Sequence, residues 1–352
     1  MKVLKTSAII IGSIIGAGFA SGKEIFEYFA KYGMVSLLFI VPLFFVLFSF
    51  VYVYLKFGEK KKNFSLKQCN SLLCKNVKIF GLSFNPFDVG LFCTYLILCS
   101  TMFSGLVALF ATYMPSGHKL LYVALALLIT IILLKTSFKS FKLLSNLVVP
   151  LIVICIILNV VCSFNSGNFS NNFGITNILP LPFLTLAYGS QNTFFCSFII
   201  IKLGNKLNKK ERLLTSLTTA LTLYLLLTLG ILCFLFNPRL AYSEMPFAEV
   251  AIAINPVFSI VFAIILFGSI ITTHATCLTS LKEYFKGDKK YNNSKLMLAL
   301  IVLLSLLNFG EIIGYLYPLI GAFGLIYYYK ILSYSKRDIF KQNIKMQQKF
   351  KQ

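Results

Sequence analysis

Residues 12–24 read Gly-Ser-Ile-Ile-Gly-Ala-Gly-Phe-Ala-Ser-Gly-Lys-Glu, four glycines and an ionisable pair set in an otherwise apolar run. These residue types do not make or break bonds. They bind small charged groups through backbone. Glycine costs about 1 kcal/mol relative to alanine inside a helix, and unwound backbone is tolerated at membrane depth only where protein or a water-filled cavity satisfies it. Gly16 to Gly18 stand about 11 residues into the run, about 16 Å at the helical rise, which is the middle of a bilayer. A break there leaves an inner half-helix ending in free carbonyls, suited to a cation or an ammonium group. The outer half-helix turns its positive N-terminal end to the same place, suited to a carboxylate. Close helix packing through Gly12-xxx-Gly16 is the alternative. Ser21-x-x-Glu24 has the form of a capping box that restarts the helix, and it assigns Glu24 a structural role.

Two other runs carry polar groups at depth. Leu186-Ala187-Tyr188-Gly189-Ser190-Gln191-Asn192-Thr193 places five polar or glycine residues in a row, from Gly189 to Thr193, inside an apolar stretch. Such a run lines a cavity or forms a structural polar cluster between helices. Ser269-Ile270-Ile271-Thr272-Thr273-His274 adds hydroxyls that line a site or back-bond to the preceding turn, with His274 as a gating or proton-handling candidate. No Ser/His/Asp or Cys/His set and no paired carboxylates converge at one depth, and no G-x-x-x-x-G-K-[ST] loop is present, so the chain is not expected to be an enzyme. The nine cysteines are scattered through apolar runs, which excludes a disulfide framework or a zinc site.

The elements that position these residues follow from composition. The 352 residues are 58% hydrophobic and 12% charged, with a mean hydropathy of +0.82. A soluble domain carries about 25% charged residues. The pattern predicts an all-α membrane protein of ten transmembrane helices, at 6–30, 35–55, 86–112, 119–134, 141–163, 179–202, 213–236, 257–281, 296–309 and 312–332. With the N-terminus inside, 29 of the 33 basic residues fall in cytoplasmic segments, as the positive-inside rule requires. The formal charge of +22 is thereby assigned to a membrane surface and not to nucleic acid. The start Met1-Lys2-Val3-Leu4-Lys5 leads into a span without a cleavage site.

Span 5 contains Val149-Pro150-Leu151-Ile152 and span 10 contains Tyr317-Pro318-Leu319-Ile320, while spans 1 and 6 both carry interruptions. An odd number of spans per half turns the second half upside down, giving a 5+5 inverted repeat with discontinuous helices 1 and 6, the pattern of secondary transporters. The expected organisation is a first repeat at 1–163, an external loop at 164–178, a second repeat at 179–334 and a basic cytoplasmic tail at 335–352. Pro238 to Asn255 reads as a re-entrant lid over the outer vestibule, or an ordinary surface loop.

The run GSIIGAGFASGKE, the YGSQN segment and LYPLIG together resemble the YkvI-like permeases, which are similar to the amino acid–polyamine–organocation (APC) superfamily with the LeuT-type fold. The resemblance covers essentially the whole chain. It implies that Gly16, Ala17, Gly18 and Phe19 surround a solute carboxylate, and that Tyr188, Gly189, Ser190 and Gln191 face its amine and side chain. It also implies a sodium site from Gly12 and Ile15 with Ser269, Thr272 and Thr273. Proton-coupled relatives carry a lysine in the middle of span 5, where this chain has none, since Lys142 lies at the span's cytoplasmic end. Sodium is favoured, and His274 keeps protons open. The acidic motif of metal-ion relatives is absent from span 1, so no divalent metal is expected as cargo, and no cofactor beyond a possible Na+ coupling ion. The expectation is a secondary active transporter of a small amino-acid-like solute, in a plasma membrane, with both termini cytoplasmic and no nucleic-acid or obligate protein partner. A membrane solute sensor resembling germinant-receptor subunits is the alternative. The lysine, asparagine, isoleucine and phenylalanine bias, with three arginines, suggests an AT-rich bacterial genome.

Overall fold

The computed structural model describes residues 2–59, 66–79, 82–135, 141–166, 169, 177–285 and 294–349. The basic loops at 60–65, 136–140 and 286–293 lie outside them, as does most of the external loop expected at 164–178. The first apolar run is not one helix but three: α1 (Lys2–Ile14), α2 (Ala17–Ala20) and α3 (Lys23–Tyr28). After it come α4 (Val35–Gly58), the short α5 (Leu66–Leu73), α6 (Pro86–Tyr113), α7 (Lys119–Lys135) and α8 (Phe141–Ser166). The second half holds α9 (Leu181–Phe195), α10 (Ser197–Gly204), α11 (Lys209–Phe236), α12 (Pro246–Ile254) and α13 (Pro256–Phe285). It ends with α14 (Ser294–Leu304), α15 (Phe309–Glu311) and α16 (Tyr317–Lys349). A small antiparallel hairpin, β1 (Val77–Ile79) with β2 (Leu82–Phe84), pairs Val77 with Phe84 and Ile79 with Leu82, and departs from the all-α expectation.

Among the described residues, five stretches are long and apolar enough to cross a membrane: 35–58, 86–113, 209–236, 256–282 and 309–335. The pair α9 and α10, bent by 66°, makes a sixth. Their outward faces carry Leu38, Phe45, Leu225, Ile264 and Leu319, all exposed. Large aliphatic side chains spread over a surface fit hydrocarbon rather than water. The polar residues go inward instead: Glu24, Asn159, Gln191, Asn192 and His274 are all buried. The protein is therefore a multi-pass membrane protein.

Packing centres on α9. It is flanked by α4 and α16, and glycines set the spacing. A Cβ on Gly321 of α16 would stand 2.4 Å from the Ala187 carbonyl oxygen, so the two backbones touch. A Cβ on Gly204 of α10 would fall 2.0 Å from the Leu55 carbonyl of α4, and one on Gly58 would fall 1.8 Å from that of Ile201. Only glycine permits such crossings. The outer segment expected as a lid forms a 3-10 turn, Pro238–Tyr242, followed by α12, which packs on α13 and α8. From 317, α16 continues unbroken to Lys349, so the basic tail begins as the extension of a helix.

Candidate functional site

The first break falls where the glycines predict it. Ile15 N–H still reaches the Ile11 carbonyl at 2.8 Å, but Gly16 N–H turns to the Ile14 carbonyl at 2.9 Å, and Gly16 takes an extended conformation (φ −99°, ψ −170°). The carbonyls of Gly12 and Ile15 accept no backbone hydrogen bond among the described residues. On the far side, α2 begins at Ala17, and its first amides have no acceptor within the helix.

A second interruption follows at Ser21 and Gly22, and it corrects the capping box. An N-cap residue needs extended φ and ψ so that its side chain can reach back over the first turn. Ser21 is helical instead (φ −75°, ψ −18°) and closes α2, its hydroxyl donating to the Gly18 carbonyl at 2.9 Å. The residue that turns the chain into α3 is Gly22, at φ +84°, in the left-handed region. Glu24 is thus released from capping. Its side chain is 4% exposed and lies against α9, where its Oε1 accepts from Asn192 Nδ2 at 3.3 Å and from Gln191 Nε2 at 3.5 Å.

The α9 side of this contact is built in layers. Tyr28 of α3 donates its hydroxyl to Gln191 Oε1, which turns the amide nitrogen of Gln191 toward Glu24. Asn192 Nδ2 also donates to the Tyr188 carbonyl at 3.0 Å. The Tyr188 ring stands edge-on to Tyr28 and to Phe29, with centroids 5.1 Å away in each case. Its hydroxyl is buried without a partner among the described residues, as is that of Ser190.

The polar run 188–193 does not unwind. It stays within α9, and the bend comes later, at Cys196 (φ −98°, ψ 7°). Side chains hold the helix through the polar stretch: Thr193 Oγ1 donates to the Gly189 carbonyl at 2.8 Å, and Cys196 Sγ to that of Asn192 at 2.8 Å. Gly189 sits against α4, where a Cβ would meet Val46 Cγ1 at 2.7 Å, and Ser190 sits against Gly324 of α16.

On α13, Thr272 bonds its own helix, donating to the Ser269 carbonyl at 3.0 Å. Thr273 faces the break, its hydroxyl 3.9 Å from where a Cβ on Gly16 would be. Ser269 is buried, and His274 is fully buried with neither ring nitrogen hydrogen-bonded. The structure therefore brings the span 1 break together with Thr273 on one side and, through Glu24, with Gln191 and Asn192 on the other. Ala17 and Phe19 are fully buried beside it.

Sequence reasoning missed Glu24, Tyr28, Asn192 and a π-helical turn at Ile312–Leu316, whose Ile313 Cδ1 lies 3.6 Å from the Cβ position of Gly18. One signal was available. Two of the 11 acidic residues, Glu24 and Glu27, fall inside span 1, and a charge within a span marks function by default.

Beside this cluster, α3 is tied to the 243–247 segment. Lys23 Nζ donates to the Ser243 carbonyl at 3.0 Å and pairs with Glu27 at 3.5 Å. Phe247 N–H donates to the Ser21 carbonyl at 2.9 Å, and Gly310 N–H to Glu244 Oε2 at 2.7 Å. The segment from Ser243 to Phe247 thereby rests on the second interruption of span 1 and on the start of α15.

No family model matches the chain. It is similar to the uncharacterized membrane protein YkvI of Bacillus subtilis (strain 168), 22% identical over 332 residues that cover 91% of this chain and 92% of that one. Among solved structures it resembles Mhp1 in an inward-facing conformation, with a TM-score of 0.59 and 9% identity over 92% of this chain and 73% of the other. The chain has a fold like that of Mhp1, the LeuT-type architecture expected from its broken first span.

Proposed function

We propose that the chain is a secondary active transporter that moves a small amino-acid-like solute across the cell membrane by alternating access, driven by a sodium or proton gradient. In this reading ten spans form two inverted repeats, with both ends in the cytoplasm. The observation that carries it is the interruption of the first span, where the bare backbone at Gly16 faces Thr273 of α13 and the Glu24 side chain beside Gly18 meets Gln191 and Asn192 of α9. Gly16, Ala17, Gly18 and Phe19 would surround the solute, with Tyr188, Gly189, Ser190 and Gln191 opposite. The Gly12 and Ile15 carbonyls, with Ser269, Thr272 and Thr273, would hold the coupling ion. A cation there neutralises the carbonyl ends and orders the break, which lowers the cost of binding solute and couples the two. The ties from Lys23, Phe247 and Glu244 close the outer face, in keeping with the inward-facing state of the Mhp1 structure that the fold resembles.

Counterflow of radiolabelled amino acids in proteoliposomes, with sodium and with choline in its place, tests the proposal. Solute-dependent flux under either gradient supports it. Saturable binding without flux would assign the site to a sensor, and neither flux nor binding would overturn both readings.

A further inference from the structure

The buried acid at the second interruption of span 1 is placed for a task of its own. Glu24 forms no ion pair among the described residues, although Lys23 is its neighbour in sequence, because Lys23 is held by Ser243 and Glu27. The two oxygens of its carboxylate differ. Oε1 accepts from both Asn192 and Gln191, and the Gln191 amide is turned toward it by the Tyr28 hydroxyl. Oε2 accepts no hydrogen bond among the described residues, and it lies 2.8 Å from the position a Cβ would occupy on Gly18. The missing side chain at Gly18 thus lets the free oxygen rest against the backbone just past the span 1 break. A carboxylate taken this far from water is costly unless a proton or another positive charge neutralises it, and no cationic side chain among the described residues pairs with it.

We propose that Glu24 is the counter-ion for a cationic group that enters at the break, and that this group is an organic ammonium carried by the solute. The inference rests on the transporter reading, and it moves the positive charge of the solute to the outer piece of the broken helix. The donor set favours ammonium over a bare metal ion. Asn192 and Gln191 present N–H groups to the carboxylate, so a metal would find one open oxygen and no shell around it. An ammonium needs only acceptors within reach and an aromatic wall. Glu24 Oε2 is such an acceptor, and the tyrosine pair Tyr28 and Tyr188 supplies the wall beside Gln191.

The test uses the purified full chain in detergent and follows thermal shift. The probes are leucine, 3-methylbutylamine (the same chain without the carboxylate) and 4-methylpentanoate (without the amine). Alanine, ethylamine and propionate form a second set, and sodium chloride is compared with choline chloride. The amines and amino acids are expected to stabilise the wild type, and the acids are not. In Glu24→Gln, which keeps an acceptor at the same place, amine affinity is expected to fall by about 10-fold to 100-fold, the loss of one charge-assisted hydrogen bond. Glu24→Asp, which keeps the charge but withdraws it, is expected to fall between. The ligand-free melting temperature of Glu24→Gln should match or exceed that of wild type, because an unpaired buried charge is gone. A merely structural acid would lower it.

If the sodium-dependent shift alone is lost in Glu24→Gln, the cationic group is the coupling ion and the ammonium assignment is overturned. Equal shifts in wild type and Glu24→Gln, or no shift by any amine or by sodium in the wild type, overturn the proposal. Proteoliposome flux separates the two readings: a Glu24→Gln protein that transports with unchanged amine selectivity sinks this inference and leaves the transporter standing.

Discussion

Spans 1 and 6 carry the same kind of sequence signal, glycine and small polar residues at membrane depth, and they fold differently. Span 1 breaks at Gly16 and again at Gly22. Span 6 stays helical through Gly189, Ser190, Gln191, Asn192 and Thr193 and bends only at Cys196. The difference lies in what the side chains do. In span 6, Thr193 and Cys196 donate back to carbonyls one turn earlier and support the helix, while Gly189 provides room for Val46 of the neighbouring helix. In span 1 the glycines offer no side chain for such bonds, and the Ser21 hydroxyl serves the junction, donating to the Gly18 carbonyl at 2.9 Å and accepting from the Lys23 N–H at 3.3 Å. Polar residues in a membrane helix do not by themselves mean unwinding.

The sharpest way to break this comparison is Gly22→Val. At φ +84°, with the Phe247 ring 3.0 Å from the new Cβ, a β-branched residue is expected to cost about 2–3 kcal/mol in thermal unfolding. A neutral result would mean that the second interruption of span 1 is not set by its glycine. Next is Gly18→Ala, whose methyl would press on Glu24 Oε2 at 2.8 Å. The carboxylate can swing aside, so ligand-free stability is expected to change little. Amine binding should weaken by about 10-fold, about 1.4 kcal/mol, measured by the same thermal titration.

Thr193→Val removes the hydroxyl that supports span 6. A net loss of about 0.5–1.5 kcal/mol is expected, with solute binding retained, and loss of binding at unchanged stability would place Thr193 in the site. The smallest effect belongs to Gly16→Ala. An extended φ of −99° suits any residue, and the nearest atom, Thr273 Oγ1, is 3.9 Å away in ordinary contact. A stability change under about 0.5 kcal/mol is expected. A large loss would show that a ligand or another conformation needs the bare backbone there.

The three acidic capping patterns make the same point at finer scale. Asn208-x-x-Glu211 closes as a capping box, with Asn208 N–H donating to Glu211 and Glu211 N–H to Asn208, both at 2.8 Å. Asn308-x-x-Glu311 does so at the start of α15, where Glu311 accepts from the Asn308 amide at 2.8 Å. Both asparagines are extended, with ψ of 173° and 162°, and Ser21 is not. The spacing of Ser21 and Glu24 matches the motif, but the backbone that leads into it comes from a helix and not from a loop. A local pattern cannot see that.

By itself the sequence determined the membrane class and the place in the chain of the first break, because these rest on hydropathy and on glycine's cost in a helix. Such effects are local or cumulative along the chain. Only the tertiary structure decided what Glu24 does, where span 6 bends and which hydroxyl faces the break. The first and last of these depend on neighbours more than 100 residues away, and the energy of a buried polar group is set by the partner that folding brings to it.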